Sequence, residues 1–377
     1  MKHYINGFAY ITLTLAFIIG FVKSNNDQQL NKMQLITGNG LSLIKTSDHV
    51  YKALSGDKTF GYMAIGESQG YGGPLSMAVL SDKEGKIVGT QLVKNIETMS
   101  FLAKLENKKY YDQYVNKNVN DEFDLSKDIE AVSGATVSSL AIANAVRKAS
   151  YNIAKDELNI ATPALNKKWK VSNEEGIILL IFILGSISIL FKKKKLRYAS
   201  LFLGFIFLGF VFNASLSLTH FGRVILGFFP NIHTHLSWWI LMAGTFSIIV
   251  ISGKNVYCSS VCPFHASQIL LNKVSGINLK LPTHISKILS KTPLFLLWLS
   301  LIIIFISANP TIASYEPFAM LFALEGDGVQ WYILPASLIG SLFFSNFFCR
   351  FFCPVGGALG WILKKRNQVK KFILSKN

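Results

Sequence analysis

Five long, nearly uncharged windows in the second half of the chain set the strongest limit on its fold: Gly176–Phe191, Tyr198–Leu218, Leu236–Ser252, Pro293–Ala308 and Gln330–Phe348. Each approaches the length that crosses a hydrocarbon core of about 30 Å. Gly176–Phe191 is short and would need tilt or local thinning. One such window could be a buried globular helix. Five, with little polar sequence between them, predict an all-α transmembrane bundle of about five helices. A sixth window, Tyr4–Val22, follows Met1-Lys2-His3. Residues 1–23 read as a signal anchor or a signal peptide, and the lack of a clear small-x-small cleavage pattern before Lys23 favours the anchor. The 377 residues leave room for a second, soluble domain.

Charge orients the spans. The formal charge of +17 would also suit nucleic acid, but its distribution points to topology. From Val171 onward there are 18 Lys and Arg against 5 Asp and Glu. If the helices alternate, 17 of the 18 fall on one side: Lys192–Lys195 with Arg197, a group from Lys254 to Lys291, and a group from Arg350 to Lys376. Arg223 and all five acids, Glu174, Glu175, Glu316, Glu325 and Asp327, fall on the other. The positive-inside rule makes the basic side cytoplasmic. Nucleic acid is then not needed as a partner, and the expected location is the cytoplasmic membrane, crossed several times. Residues 24–170 would lie outside, with 18 basic against 16 acidic residues, an ordinary soluble composition. Lys155–Lys170, with Pro163, reads as the linker to the membrane domain, 171–377.

Within the external segment, Ala131-Val132-Ser133-Gly134-Ala135-Thr136-Val137-Ser138-Ser139 is a small, hydroxyl-rich turn that opens into a helix-like run, Leu140 to Ala154. Gly134 permits an unusual backbone angle. Amides around Ser138 and Ser139 would sit at a helix N-terminus, where an anion such as phosphate is favoured. Ser and Thr also cap helices with no functional role. Ser133-Gly134-Ala135-Thr136 resembles the flavinylation motif of extracytoplasmic FMN-binding domains, with Glu130 where that family usually has Asp. The resemblance implies an α+β domain and covalent FMN, joined to Thr136 as a phosphoester by a flavin transferase. Gly70-Tyr71-Gly72-Gly73-Pro74-Leu75 is similar to the Gly-rich turn of the same domains. It precedes two strand-like runs, Leu75 to Leu80 and Lys86 to Val93, joined by the polar loop Ser81–Gly85. Asn95-Ile96-Glu97-Thr98 follows where the family lines its flavin, Asn95 standing for a His. The resemblance thus implies Ser133, Gly134, Ala135, Ser138, Gly72, Gly73, Glu97 and Thr98 as flavin-contacting positions around Thr136.

All four cysteines lie in the membrane half, as Cys258-x3-Cys262-Pro263 and Cys349-x3-Cys353-Pro354. The topology puts both pairs on the cytoplasmic side, where disulfides are disfavoured. Closely spaced thiolates are soft ligands for an Fe–S cluster or zinc. Two identical spacings, each followed by Pro, predict that Cys258, Cys262, Cys349 and Cys353 together hold one cluster, with structural zinc as the competing guest. His220, His233 and His235, with Arg223, Trp238 and Trp239 nearby, could bind haem or a quinone headgroup, but read first as an interfacial belt. Glu316 and Glu325 read as solvated loop acids.

An external flavinylated domain followed by five helices and two Cys-x3-Cys-Pro motifs resembles the NosR family of nitrous oxide respiration, and is similar to the PceC proteins encoded with reductive dehalogenases. Ser314-Tyr315-Glu316-Pro317-Phe318 is similar to a segment between late helices of these families. The shorter, PceC-like arrangement matches better. The resemblance implies a membrane electron-transfer flavoprotein, working between a quinone pool or Fe–S partner subunit and an extracytoplasmic reductase or metalloenzyme. The competing class is a redox-sensing regulator or maturation factor. FMN and cysteines on opposite sides of a core about 30 Å thick would need an intermediate carrier, such as a quinone.

Overall fold

The computed structural model describes residues 2–24, 40–97, 99–125, 127–164, 173–324 and 328–375. Thr98, Glu325, Asp327 and Lys376 lie outside the described residues.

The chain opens on helix α1, Lys2–Ser24. Five antiparallel strands then form a meander in the order β1-β2-β3-β4-β5: Ser42–Lys45, Val50–Ser55, Lys58–Gln69, Pro74–Asp82 and Ile87–Lys94. The runs expected at 75–80 and 86–93 are β4 and β5. Asp82 closes their hairpin by accepting the amides of Glu84 and Lys86 at 3.0 and 2.8 Å. Because side chains alternate along a strand, β4 buries both faces. Leu75, Met77 and Val79 face one core, while Ala78 and Leu80 join Ala53, Met63 and Val93 in another.

Helix α2, Met99–Asn107, and the 3-10 turn Tyr110–Tyr114 lead to α3, Thr136–Asp156, which covers the first of these faces. Its inward side carries small residues, among them Ala141, Ala145, Ala149 and Ala154. They let the helix backbone approach β3 so closely that a Cβ on Gly66 would stand 2.0 Å from the Ala145 carbonyl oxygen. An α+β domain therefore precedes a helical region, as expected.

The helical half consists of α4 Asn173–Leu190, α5 Lys194–Leu203 with its π-helical continuation Gly204–Val211, α6 Leu218–Leu226, α7 Leu236–Ser252, the π turn Tyr257–Val261, α8 Pro263–Ser275, α9 Thr283–Leu289, α10 Thr292–Ser307, α11 Phe318–Ala323, α12 Gln330–Phe343, α13 Phe347–Phe351 and α14 Pro354–Leu374. Its core gathers Ile178, Phe182, Leu208, Leu241, Val261, Phe264 and Phe348. Among the described residues, two helical stretches are long and apolar enough to cross a membrane, Asn173–Leu190 and Thr283–Ser307, and two apolar helices are shorter, Gly7–Val22 and Leu236–Ser252.

This departs from the five full spans that hydropathy suggests. The window Tyr198–Leu218 breaks after its π-helical end, at Asn213 with φ +46°, and continues as extended chain to Ser217. Gln330–Phe348 breaks after Phe343 and restarts beyond Asn346, with φ +55°. Asn tolerates the left-handed region better than most residues, so it can end a helix inside an apolar run. α1 is a member of the bundle. A Cβ on Gly20 would stand 1.7 Å from the Phe305 carbonyl oxygen of α10, and Trp298 Nε1 donates to Thr12 Oγ1 at 3.1 Å.

Candidate functional site

Two sites emerge, one in each half of the molecule. In the first, the hydroxyl-rich turn folds tightly before α3. Gly134 takes φ +78°, the Ala135 amide donates to Val132 O at 3.0 Å, and Ser139 Oγ accepts the Val132 amide at 3.2 Å. Thr136 is the first residue of α3 and is exposed, as are Ser133 and Gly134, while Ala135 is buried. The Ser139 amide donates to Ala135 O. The amides preceding the helical ladder are therefore those of Thr136, Val137 and Ser138, one position earlier than expected. An anion at Thr136 would face the positive end of the helix dipole.

Glu97 ties this turn to the Gly-rich one. Its carboxylate is 3% exposed. It accepts from Ser138 Oγ at 2.5 Å and from the Gly72 amide at 3.3 Å. It also fills the space over Gly70, where a Cβ would stand 1.8 Å from Glu97 Oε1. Any side chain at Gly70 would expel it. Burial pushes the Glu97 carboxyl above the usual range, against the pull of the Ser138 hydroxyl, the Gly72 amide and the Arg223 charge. Gly72 and Gly73 pack on Ile96. The structure thus brings Gly72, Glu97 and Ser138 into one cluster two residues from Thr136.

The helical half clamps the same turn. Arg223 of α6 is 2% exposed and donates through Nη1 to Gly70 O at 2.9 Å and Tyr71 O at 2.6 Å. Its guanidinium stands 5.6 Å from the Trp238 ring centroid. His220 stacks on Trp238 with centroids 6.1 Å apart and meets Tyr71 edge-on at 6.4 Å. His220, Arg223 and Trp238 are therefore packed beneath the Gly-rich turn, not set in a lipid-facing belt. A buried guanidinium needs carbonyl or carboxylate partners; here Nε donates to the nearby Phe228 O at 3.2 Å, and Nη1 to two backbone carbonyls more than 150 positions away in sequence. Sequence offered only one hint, a lone Arg on an otherwise acidic side.

In the second site the four cysteines, all free, line one cavity of about 190 Å³. Both motifs use the same local device. Cys258 lies on the π turn, and Cys262, with φ −57° and ψ 120°, precedes Pro263 at the start of α8. Cys349 lies on α13, and Cys353, with φ −72° and ψ 112°, precedes Pro354 at the start of α14. Proline is suited to a first helical position, and the extended residue before it turns each sulfur toward a helix N-terminus.

The sulfurs also meet donors. Gln268 Nε2 donates to Cys349 Sγ at 2.9 Å, and the Gly356 amide to Cys353 Sγ at 3.3 Å. Gln268 is fully buried, and its Oε1 accepts the Phe348 amide at 2.9 Å. A residue on the helix of the first motif thereby holds the backbone of the second. Among the described residues, no three His, Cys, Asp or Glu side chains are placed to hold one metal ion. A single zinc would draw four sulfurs to about 2.3 Å from one point. A shared cavity of this size suits a multi-atom cluster better.

Glu316 is buried, 3% exposed, not a solvated loop acid. It accepts the Leu218 amide at 2.6 Å and Ser314 Oγ at 2.7 Å. Its neighbour Tyr315 donates to Phe352 O at 2.6 Å, beside Cys353. The segment that leaves α10 thus reaches the cysteine site directly.

The comparisons agree with this division. Residues 70–150 match the FMN-binding domain family. Residues 234–282 and 332–372 match the 4Fe-4S binding domain family, and these stretches hold the two cysteine pairs. Over 105 residues the chain is 31% identical to a subunit of the proton-translocating ferredoxin:NAD(+) oxidoreductase complex of Clostridium ljungdahlii, a match that covers 26% of this chain and 56% of that protein. The chain therefore spans about half the length of this curated relative. It carries an FMN-binding domain and a 4Fe-4S binding domain, the two redox modules of an electron-transport flavoprotein.

Proposed function

We propose that the chain is a membrane-bound electron-transfer flavoprotein that passes electrons between a quinol or a cytoplasmic-side Fe–S carrier and an extracytoplasmic acceptor. FMN is held covalently at Thr136, and Cys258, Cys262, Cys349 and Cys353 hold one Fe–S cluster. The observation that carries this reading is the convergence of two distant Cys-x3-Cys-Pro motifs on one cavity, next to a helical segment that grips the FMN-binding turn. When bound, the flavin exchanges one or two electrons, and the cluster exchanges one.

The chain's own residues set the geometry. The Thr136 hydroxyl is exposed for modification, and the first amides of α3 face the phosphate it would carry. Glu97 locks the Gly-rich turn to the helix start. Arg223 fixes that turn onto the helical half. Gln268 and the Gly356 amide in the first turn of α14 offer hydrogen bonds to sulfur, which tune a cluster's potential. The basic residues of the second half support an external FMN-binding domain, with α1 as its anchor. Likeness to one component of an oxidoreductase complex supports assembly with further redox subunits, an extracytoplasmic reductase or metalloenzyme being the acceptor.

The test is anaerobic reduction of flavinylated protein in liposomes by a quinol or by a reduced ferredoxin-type donor, followed by flavin absorbance. The expected result is flavin bleaching by at least one donor in the wild type, slowed more than about tenfold in Cys349→Ser, the scale of a 1.4 kcal/mol change in barrier. No bleaching by either donor contradicts the proposal.

A further inference from the structure

A second and much larger cavity, of about 1320 Å³, is lined by Tyr71 and Glu97 of the FMN-binding half and by Ser215, Glu316, Phe318 and Phe348 of the helical half. Phe318 also walls the cysteine cavity, so the two cavities share it as a wall residue. The rest of the wall is largely apolar, with α10, α12 and the segment between them contributing much of it. Its volume exceeds the roughly 300–1,000 Å³ of ordinary small-molecule sites, and leaves room for a ring with a long apolar tail.

The polar groups narrow the ligand further. Two carboxylates, Glu97 and Glu316, reach the wall, and no Lys, Arg or His does so among the described residues. A phosphate or propionate group would meet buried negative charge with no counter-ion, which is costly. An anionic occupant is therefore disfavoured, and the largely apolar wall favours a neutral one. Ser215 is 6% exposed, and its hydroxyl has no hydrogen-bond partner among the described residues. Each Glu316 oxygen accepts one hydrogen bond, from Leu218 N or Ser314 Oγ, and retains capacity for another. A buried hydroxyl without a partner costs stability, so a ligand oxygen or O–H at this level would be favoured.

We infer that this cavity binds a lipid-soluble quinone, its ring oxygens near Ser215 and Glu316 and its isoprenoid tail along α10 and α12. The inference rests on the electron-transfer reading above and deepens it. In the direction of quinol oxidation, both ring O–H bonds break and the ring becomes the quinone. FMN, when bound, would be the acceptor of the two electrons and two protons released. The ring would stand between the FMN-binding turn and the cysteine cavity, shortening the interval that a core of about 30 Å would otherwise impose.

The experiment uses the full chain in nanodiscs, with a naphthoquinone carrying a photoactivatable azide on its tail. Crosslinked peptides are mapped by mass spectrometry, and equilibrium binding is measured by competition with decyl-benzoquinone. The expected labels fall within Thr292–Ser307 and Gln330–Phe343. Ser215→Ala and Glu316→Gln are expected to weaken binding about tenfold, or about 1.4 kcal/mol, with in-gel flavin fluorescence retained. Ala336→Phe, which fills the cavity from α12, should block binding while iron and flavin stay in place. Labels confined to other helices, or equal binding by all three variants, would overturn the site. So would a tightly held phospholipid that quinone fails to displace. Flavin reduction by a ferredoxin-type donor without any quinone binding would remove the site and keep the electron-transfer reading. Normal quinone binding with a flavin that no donor reduces would keep the site and remove that reading.

Discussion

Thr136 and Glu97 show how much one residue can decide here. Thr136 offers an exposed hydroxyl at the first position of α3, and Glu97 holds the turn that faces it. Thr136→Ala is expected to abolish covalent flavin, read as fluorescence in a denaturing gel after co-expression with a flavin transferase. Thr136→Ser should retain part of it. Covalent flavin surviving in the Ala variant would contradict the assignment. Gln268 is the corresponding residue at the cysteine site. Gln268→Leu removes the donor to Cys349 and leaves the buried Phe348 amide without its acceptor, a loss of about 1–3 kcal/mol. Hydrogen bonds to sulfur favour the more negative, reduced state of a cluster. The variant should therefore show a lower midpoint in a paramagnetic-resonance redox titration. An unchanged midpoint would leave Gln268 a purely structural role.

At the scale of elements, local signals are legible where one short segment specifies its own conformation. The β4–β5 hairpin, the helix start at Thr136 and the Pro-initiated helices after Cys262 and Cys353 all follow from neighbouring residues. The helix breaks at Asn213 and Asn346 escape a hydropathy reading because hydropathy averages over them, although Asn is the available sign. α1 gives a direct test of packing at this scale. Gly20 lets its backbone reach α10. Gly20→Leu should therefore force the helices apart, lowering stability by about 1–3 kcal/mol, read as a lower thermal midpoint in detergent. An unaltered midpoint would mean that α1 contributes little to the bundle.

The whole molecule is organised by contacts that join residues far apart in the chain, and these are the least legible. Arg223 reaches Gly70 and Tyr71, Glu316 reaches Leu218, and Gln268 joins the two cysteine motifs. No periodicity or spacing encodes such pairings; they arise when the bundle closes and buried polar groups must find partners. The two Cys-x3-Cys-Pro motifs are visible at once, but only folding sets them around one cavity. The most direct measurement of the central claim is iron and acid-labile sulfide in anaerobically purified protein, for the wild type and for each of Cys258→Ser, Cys262→Ser, Cys349→Ser and Cys353→Ser. A single cluster shared by both motifs predicts about four iron and four sulfide per chain in the wild type, and marked loss of both in all four variants, with covalent flavin retained. Full zinc occupancy without sulfide, or a cluster that survives removal of either whole pair, would contradict it.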